Sequence, residues 1–108
     1  MTFSDMSERE KDIIHECLHA AAHGPFFPES EFHILFGLNR NELFQIIQKW
    51  PKLDENDEAV RLAINGVFNN LLGYPHKRDD VWHEHISVSR DELELIYKRW
   101  KTGKHETP

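Results

Sequence analysis

The 108 residues include 13 Lys and Arg against 19 Asp and Glu, a formal charge of −6 that argues against a polyanionic partner such as nucleic acid or an anionic membrane face. With 39% hydrophobic and 11% aromatic residues, the composition suits a single globular domain over 1–108, with chain enough for one core but not two. The lone Cys17 leaves no internal disulfide, the acidic start MTFSDMSEREKD lacks the pattern of a secretion signal, and no apolar run is long enough to span a bilayer, so a soluble, cytoplasmic protein is expected.

In chain order, Ser7-Glu8-Arg9-Glu10 is a capping box that opens a first helix, in which Ile13, Ile14, Cys17, Leu18, Ala21 and Ala22 recur on one face. Gly24 is expected to close it in a left-handed conformation, with Pro25 forbidding continuation. Pro28 suits the first turn of a short second helix through Phe32, Leu35 and Phe36, ending at Gly37. Asn39-Arg40-Asn41-Glu42 is another capping box, opening a third helix with Leu43, Ile46, Ile47 and Trp50 inward and Pro51 closing it. The polar stretch 51–56 reads as a connector, and Asp57 caps a fourth helix that Gly73 should end. That stop comes one residue early relative to Gly24, which implies a single insertion in the loop that follows. Residues 79–86 make a short fifth helix, Ser89-Arg90-Asp91-Glu92 opens the sixth, and 101–108 read as a frayed tail.

The same pattern is written twice. At an offset of fifty, Phe32 answers Trp82, His33 answers His83, Arg40 answers Arg90, Leu43 answers Leu93, Ile46 answers Ile96 and Trp50 answers Trp100. Two units, 7–50 and 57–100, each too small to bury an apolar stripe alone, predict an all-α, six-helix bundle of two pseudo-symmetric three-helix repeats. Gly66, costly inside a helix, predicts a close approach by another helix, and Trp50 and Trp100 read as core wedges.

Each unit resembles a helix-turn-helix. With Gly37 or Ser87 as the turn residue, the positions such motifs keep apolar are Phe32, Phe36, Leu38, Leu43 and Ile46, then Trp82, Ile86, Val88, Leu93 and Ile96. In a DNA-binding regulator of this type Arg40, Asn41, Gln45 and Arg90 would reach the groove or the phosphates. The acidic residues around both second helices work against that, and His33 or His83 occupies a place usually small, where it would be tucked between helices.

His15-Glu16-Cys17-Leu18-His19 resembles the H-E-x-x-H of zinc hydrolases, in which two imidazoles one helical turn apart hold the metal and the Glu serves as base. His23 extends that face, so His15, His19 and His23 are the candidate metal ligands. No cofactor is otherwise implied. The reading these residues favour is a protein-binding or regulatory accessory module without enzymatic activity. Its expected contact surface comprises Phe26, Phe27, Tyr74 and His76 on two matching loops, engaging another protein or a second copy as a homodimer.

Overall fold

Helices begin where a side chain can take up the unpaired amides of the first turn. In the computed structural model, which describes residues 6–50, 52 and 57–102, Ser7 Oγ accepts from the Glu10 N–H at 3.1 Å while the Glu10 carboxylate accepts from Ser7 N–H at 2.9 Å, opening α1 (Glu8–His23). After α2 (Glu29–Phe36), the same reciprocal pair forms between Asn39 and Glu42, both bonds 2.8 Å, at the start of α3 (Arg40–Gln48). Asp57 caps α4 (Glu58–Gly73) by accepting from the Ala59 N–H at 2.9 Å. A single 3₁₀ turn (Asp79–Val81) leads into the one-turn α5 (Trp82–His85), and Ser89 then caps α6 (Arg90–Thr102) through the Glu92 N–H at 3.1 Å. These six α-helices, with no strand, are the regular structure among the described residues, and none of the helices is long and apolar enough to cross a membrane.

α1 and α4 form the centre. They pack against each other; α1 also meets α3 and α5, and α4 meets α2 and α6. All ten apolar positions named for the helix-turn-helix pattern are buried, together with Cys17, Leu18 and Ala21 from α1 and Ile64, Val67, Phe68 and Leu71 from α4. Burial, and then the neighbouring Glu16 charge, pushes the Cys17 thiol far above its ordinary pKa, so it is a small core residue and not a nucleophile.

Several boundaries differ from the sequence-based expectation. Gly24 is extended, with φ −82° and ψ 177°, and not left-handed. Its missing side chain matters for a different reason, since a Cβ there would sit 2.5 Å from the Ala20 carbonyl oxygen and 3.1 Å from the Phe26 ring. The left-handed glycine is Gly37, at φ 75° after α2. α4 does not stop before Gly73 but includes it, with Tyr74 as C-cap fifty residues after Gly24, so no insertion is needed. The fifth helical segment falls at 79–85, close to the expected 79–86, but its first turn is 3₁₀, and α6 continues through Lys101 and Thr102, which the sequence assigned to a tail. Pro51 and most of the connector, with 103–108, lie outside the described residues.

Candidate functional site

Arg40 and Arg90, the cations expected to face phosphate, are turned inward. The Arg40 guanidinium donates to the carbonyls of Ala21 at 3.2 Å, Ala22 at 2.5 Å and Phe27 at 3.1 Å, pairs with Glu29 at 2.7 Å and lies 4.4 Å above the Phe32 ring. Arg90 donates to the Leu72 carbonyl at 2.6 Å, pairs with Asp79 at 3.1 Å and lies 5.3 Å from the Trp82 ring. Each arginine thus covers open carbonyls at the C-terminal end of a central helix, where the helix dipole also favours a cation. The other candidate readers, Asn41 and Gln45, are exposed on α3. Beside Arg90 lies an open cavity of about 340 Å³ lined by Asp79, Trp82, His83, Ser89 and Asp91, which sets two carboxylates against the one guanidinium.

The loop aromatics do meet. Phe26 lies 5.0 Å from His76, and Phe27 lies 5.7 Å from Tyr74, by ring centres. Phe26 and Phe27 are nevertheless buried, at 1% and 4% exposure, because Phe27 packs edge-on against Phe36 and Phe26 against Trp82. They cannot form a contact surface from inside the core; only Tyr74 and His76 reach the rim. His76 is itself fixed, accepting from the Arg78 N–H at Nδ1 (3.0 Å) and facing the Leu71 carbonyl through Nε2 (3.2 Å), which assigns its proton to Nε2. His33 and His83 are exposed and not tucked between helices.

The histidines of α1 stand in a row of rings. Trp50 stacks on His15 at 4.7 Å with only 4° between the planes, His15 meets His19 edge-on at 4.6 Å, His19 stacks with His23 at 5.5 Å, and His23 stacks with Phe44 at 4.9 Å. The row runs along α1, which packs against α3. Glu16, the residue that would serve as base in an H-E-x-x-H site, is committed elsewhere: its carboxylate accepts from the Ser87 N–H at 3.0 Å and the Ser87 hydroxyl at 2.8 Å. Among the described residues no group of three or more His, Cys, Asp or Glu side chains is placed to hold a metal ion, whereas zinc hydrolases use three protein ligands.

Partial burial, then the charges of His15 and His23, lower the His19 pKa below 6.5. The folded state therefore binds fewer protons there than the unfolded chain. The His19 contribution to stability is complete above about pH 6.5 and is lost as pH falls toward the depressed folded value. Urea midpoints measured between pH 7.5 and 5 should decline in the wild type and decline less in His19→Asn; equal slopes would show that the row is not coupled to folding.

Compared with known proteins, the chain matches no family model, no curated protein and no solved structure. Its surface must therefore be read from its own geometry. α2 lies along one stripe of α4: Leu62 faces Gly37 (a Cβ at Gly37 would be 3.9 Å from its methyls), Gly66 faces Phe36, Asn70 Nδ2 donates to the Leu35 carbonyl at 3.0 Å, and Tyr74 Oη donates to the Glu31 carboxylate at 3.2 Å. That docking turns the opposite side of α2 outward, where Ile34 is 81% exposed, with Leu62 at 42% beyond one end of the helix. Neither residue figured among the sequence candidates. The missed signal was Ile34 itself, an apolar residue two positions from Phe32 and from Phe36 and so off their shared face.

Proposed function

We propose that this chain is a protein-binding module, a pseudo-twofold pair of helix-turn-helix-like units whose contact surface is the outer face of α2. The inward arginines carry this reading. In each half an arginine, a helix-end carbonyl, a carboxylate and an aromatic ring recur fifty residues apart: Arg40, Ala22, Glu29 and Phe32 in one, Arg90, Leu72, Asp79 and Trp82 in the other. A device that spends its repeated cations on internal carbonyls supports packing, not phosphate binding. The crosswise packing of α1 on α5 and α4 on α2 also supports two interlocked halves.

The halves differ on the outside, since Leu95 on α6 is also exposed, at 62%, and corresponds to Gln45 in the first half. Ile34 and Leu62 correspond at the same offset to Glu84 and Asp12. The α2 face therefore offers an apolar anchor with Glu31 and Tyr74 at one end and Leu62 at the other, and suits a partner protein with an apolar pocket rimmed by basic groups.

A photoreactive amino acid at position 34 should cross-link one partner in host cells, and Ile34→Asp should abolish capture of that partner while leaving the unfolding free energy within about 0.5 kcal/mol of wild type, as for surface substitutions; Leu62→Asp should also abolish capture. Cross-links to many proteins in proportion to abundance, or capture that survives both substitutions, would remove this face from consideration. Cross-links only to a second copy would recast the module as a homodimer. A salt-dependent retention on duplex DNA that Asn41→Ala and Gln45→Ala reduce would instead support the nucleic-acid reading.

A further inference from the structure

We propose that His15 and His19 form a two-imidazole site for a borderline divalent transition-metal ion, on α1 and apart from the α2 face. An imidazole nitrogen holds such an ion at about 2.0–2.1 Å, which puts the ring centre roughly 3.2 Å from it; two rings at ordinary coordination angles then have centres about 4.5–5.2 Å apart. The His15 and His19 centres are 4.6 Å apart, inside that range, and those of His19 and His23 are 5.5 Å apart, just outside it. The separation of the pair therefore suits one ion once the edge-on rings, 71° apart, rotate to turn a nitrogen of each toward it.

Two further observations support this placement. The coplanar Trp50 ring at 4.7 Å steadies His15, reducing the side-chain freedom lost on binding. Among the described residues, no ring nitrogen of His15 or His19 is taken by a hydrogen bond to another protein group, unlike those of His76 and His83. The second half carries Asn65 and Asn69 at the matching positions, with Asn65 accepting from Tyr97 Oη at 2.8 Å, so the site belongs to one half only.

Two nitrogen donors select the later first-row cations, copper(II) ahead of nickel and zinc, over magnesium and calcium, which require oxygen. The chain without a histidine tag, titrated with copper(II) or zinc chloride at pH 7.5 in a non-coordinating buffer, should bind one equivalent saturably. Binding should weaken at least tenfold in His19→Asn and in His15→Asn, and again in wild type between pH 7.5 and 5.5, with excess magnesium having no effect. Copper should quench the fluorescence of Trp50, and Trp50→Phe should remove most of that quenching. His19 is exposed and its counterpart on α4 is already Asn, so His19→Asn is a folded test protein. Unaltered uptake by His19→Asn, or equal losses in His83→Asn and His85→Asn, would mean an adventitious ion only and would overturn the assignment.

Discussion

Arg40→Ala should destabilise the fold by about 3 kcal/mol, and Arg90→Ala by only about 1–2 kcal/mol, although the two arginines occupy matching places in the sequence. Each charge-assisted hydrogen bond contributes roughly 1.5–3 kcal/mol, and carbonyls left without a donor cost about 1–3 kcal/mol where water cannot reach them. Arg40 serves three carbonyls from a side chain only 19% exposed; Arg90 serves one from a side chain 40% exposed, where solvent takes over part of the lost interaction. The pairs with Glu29 and Asp79 add little, because both carboxylates are largely exposed. Arg40→Lys should recover part of the loss: it keeps a cation at the end of α1 but has no planar fork to span three acceptors. Urea unfolding of the variants decides the matter. Equal losses at the two positions, or a loss at Arg40 within about 0.5 kcal/mol of zero, would mean that the clamp is not what joins α3 to the end of α1.

Some parts of the molecule are written locally in the chain. Capping boxes at Ser7 and Asn39 are legible because donor and acceptor are three residues apart, and the buried stripes are legible because their spacing follows the helical turn. Direction across the chain is harder. Arg40 looks like a surface reader until Glu29 and the Ala22 carbonyl are brought beside it, and nothing within a turn of Arg40 announces that. A clue was available: Glu29 and Asp79 are also fifty residues apart, so the acid and the base recur together. Phe26 and Phe27 misled for a related reason. Placed after Gly24 and Pro25 they look like loop-tip residues, yet the extended Gly24 drops both rings into the space between α2, α4 and α5. His33 and His83 were expected at the crossing of the two helices within each unit, yet both are exposed; the close approach foreseen at Gly66 is there, between α4 and Phe36 of α2. Long-range contacts such as Glu16 to Ser87 and Asn70 to Leu35 leave no local mark at all.

Gly66 is where that close approach can be tested most sharply. Glycine inside a helix costs about 1 kcal/mol relative to alanine, so Gly66→Ala at an unconstrained site should stabilise α4 by that amount. Here the opposite is expected. An added Cβ would lie 2.8 Å from Phe36 Cδ1 and 3.5 Å from Phe36 Cα. The ring has no room to swing away, since Phe36 is 2% exposed, stacks on Phe32 at 4.4 Å and meets Phe27 edge-on at 5.1 Å. Forcing α2 outward also stretches the bond from Asn70 to the Leu35 carbonyl, one turn along the same stripe. Overpacking of this kind costs about 1–3 kcal/mol, enough to outweigh the gain in propensity. Gly66→Ala should therefore lose about 1 kcal/mol and Gly66→Val about 3 kcal/mol or more, because valine adds volume without alanine's helical preference. Phe36→Leu supplies the control: trimming the ring relieves the clash, so the double variant with Gly66→Ala should be less damaged than the two single losses together by about 1 kcal/mol. Additive losses, or a Gly66→Ala protein more stable than wild type, would show that α2 does not rest on α4 at this point.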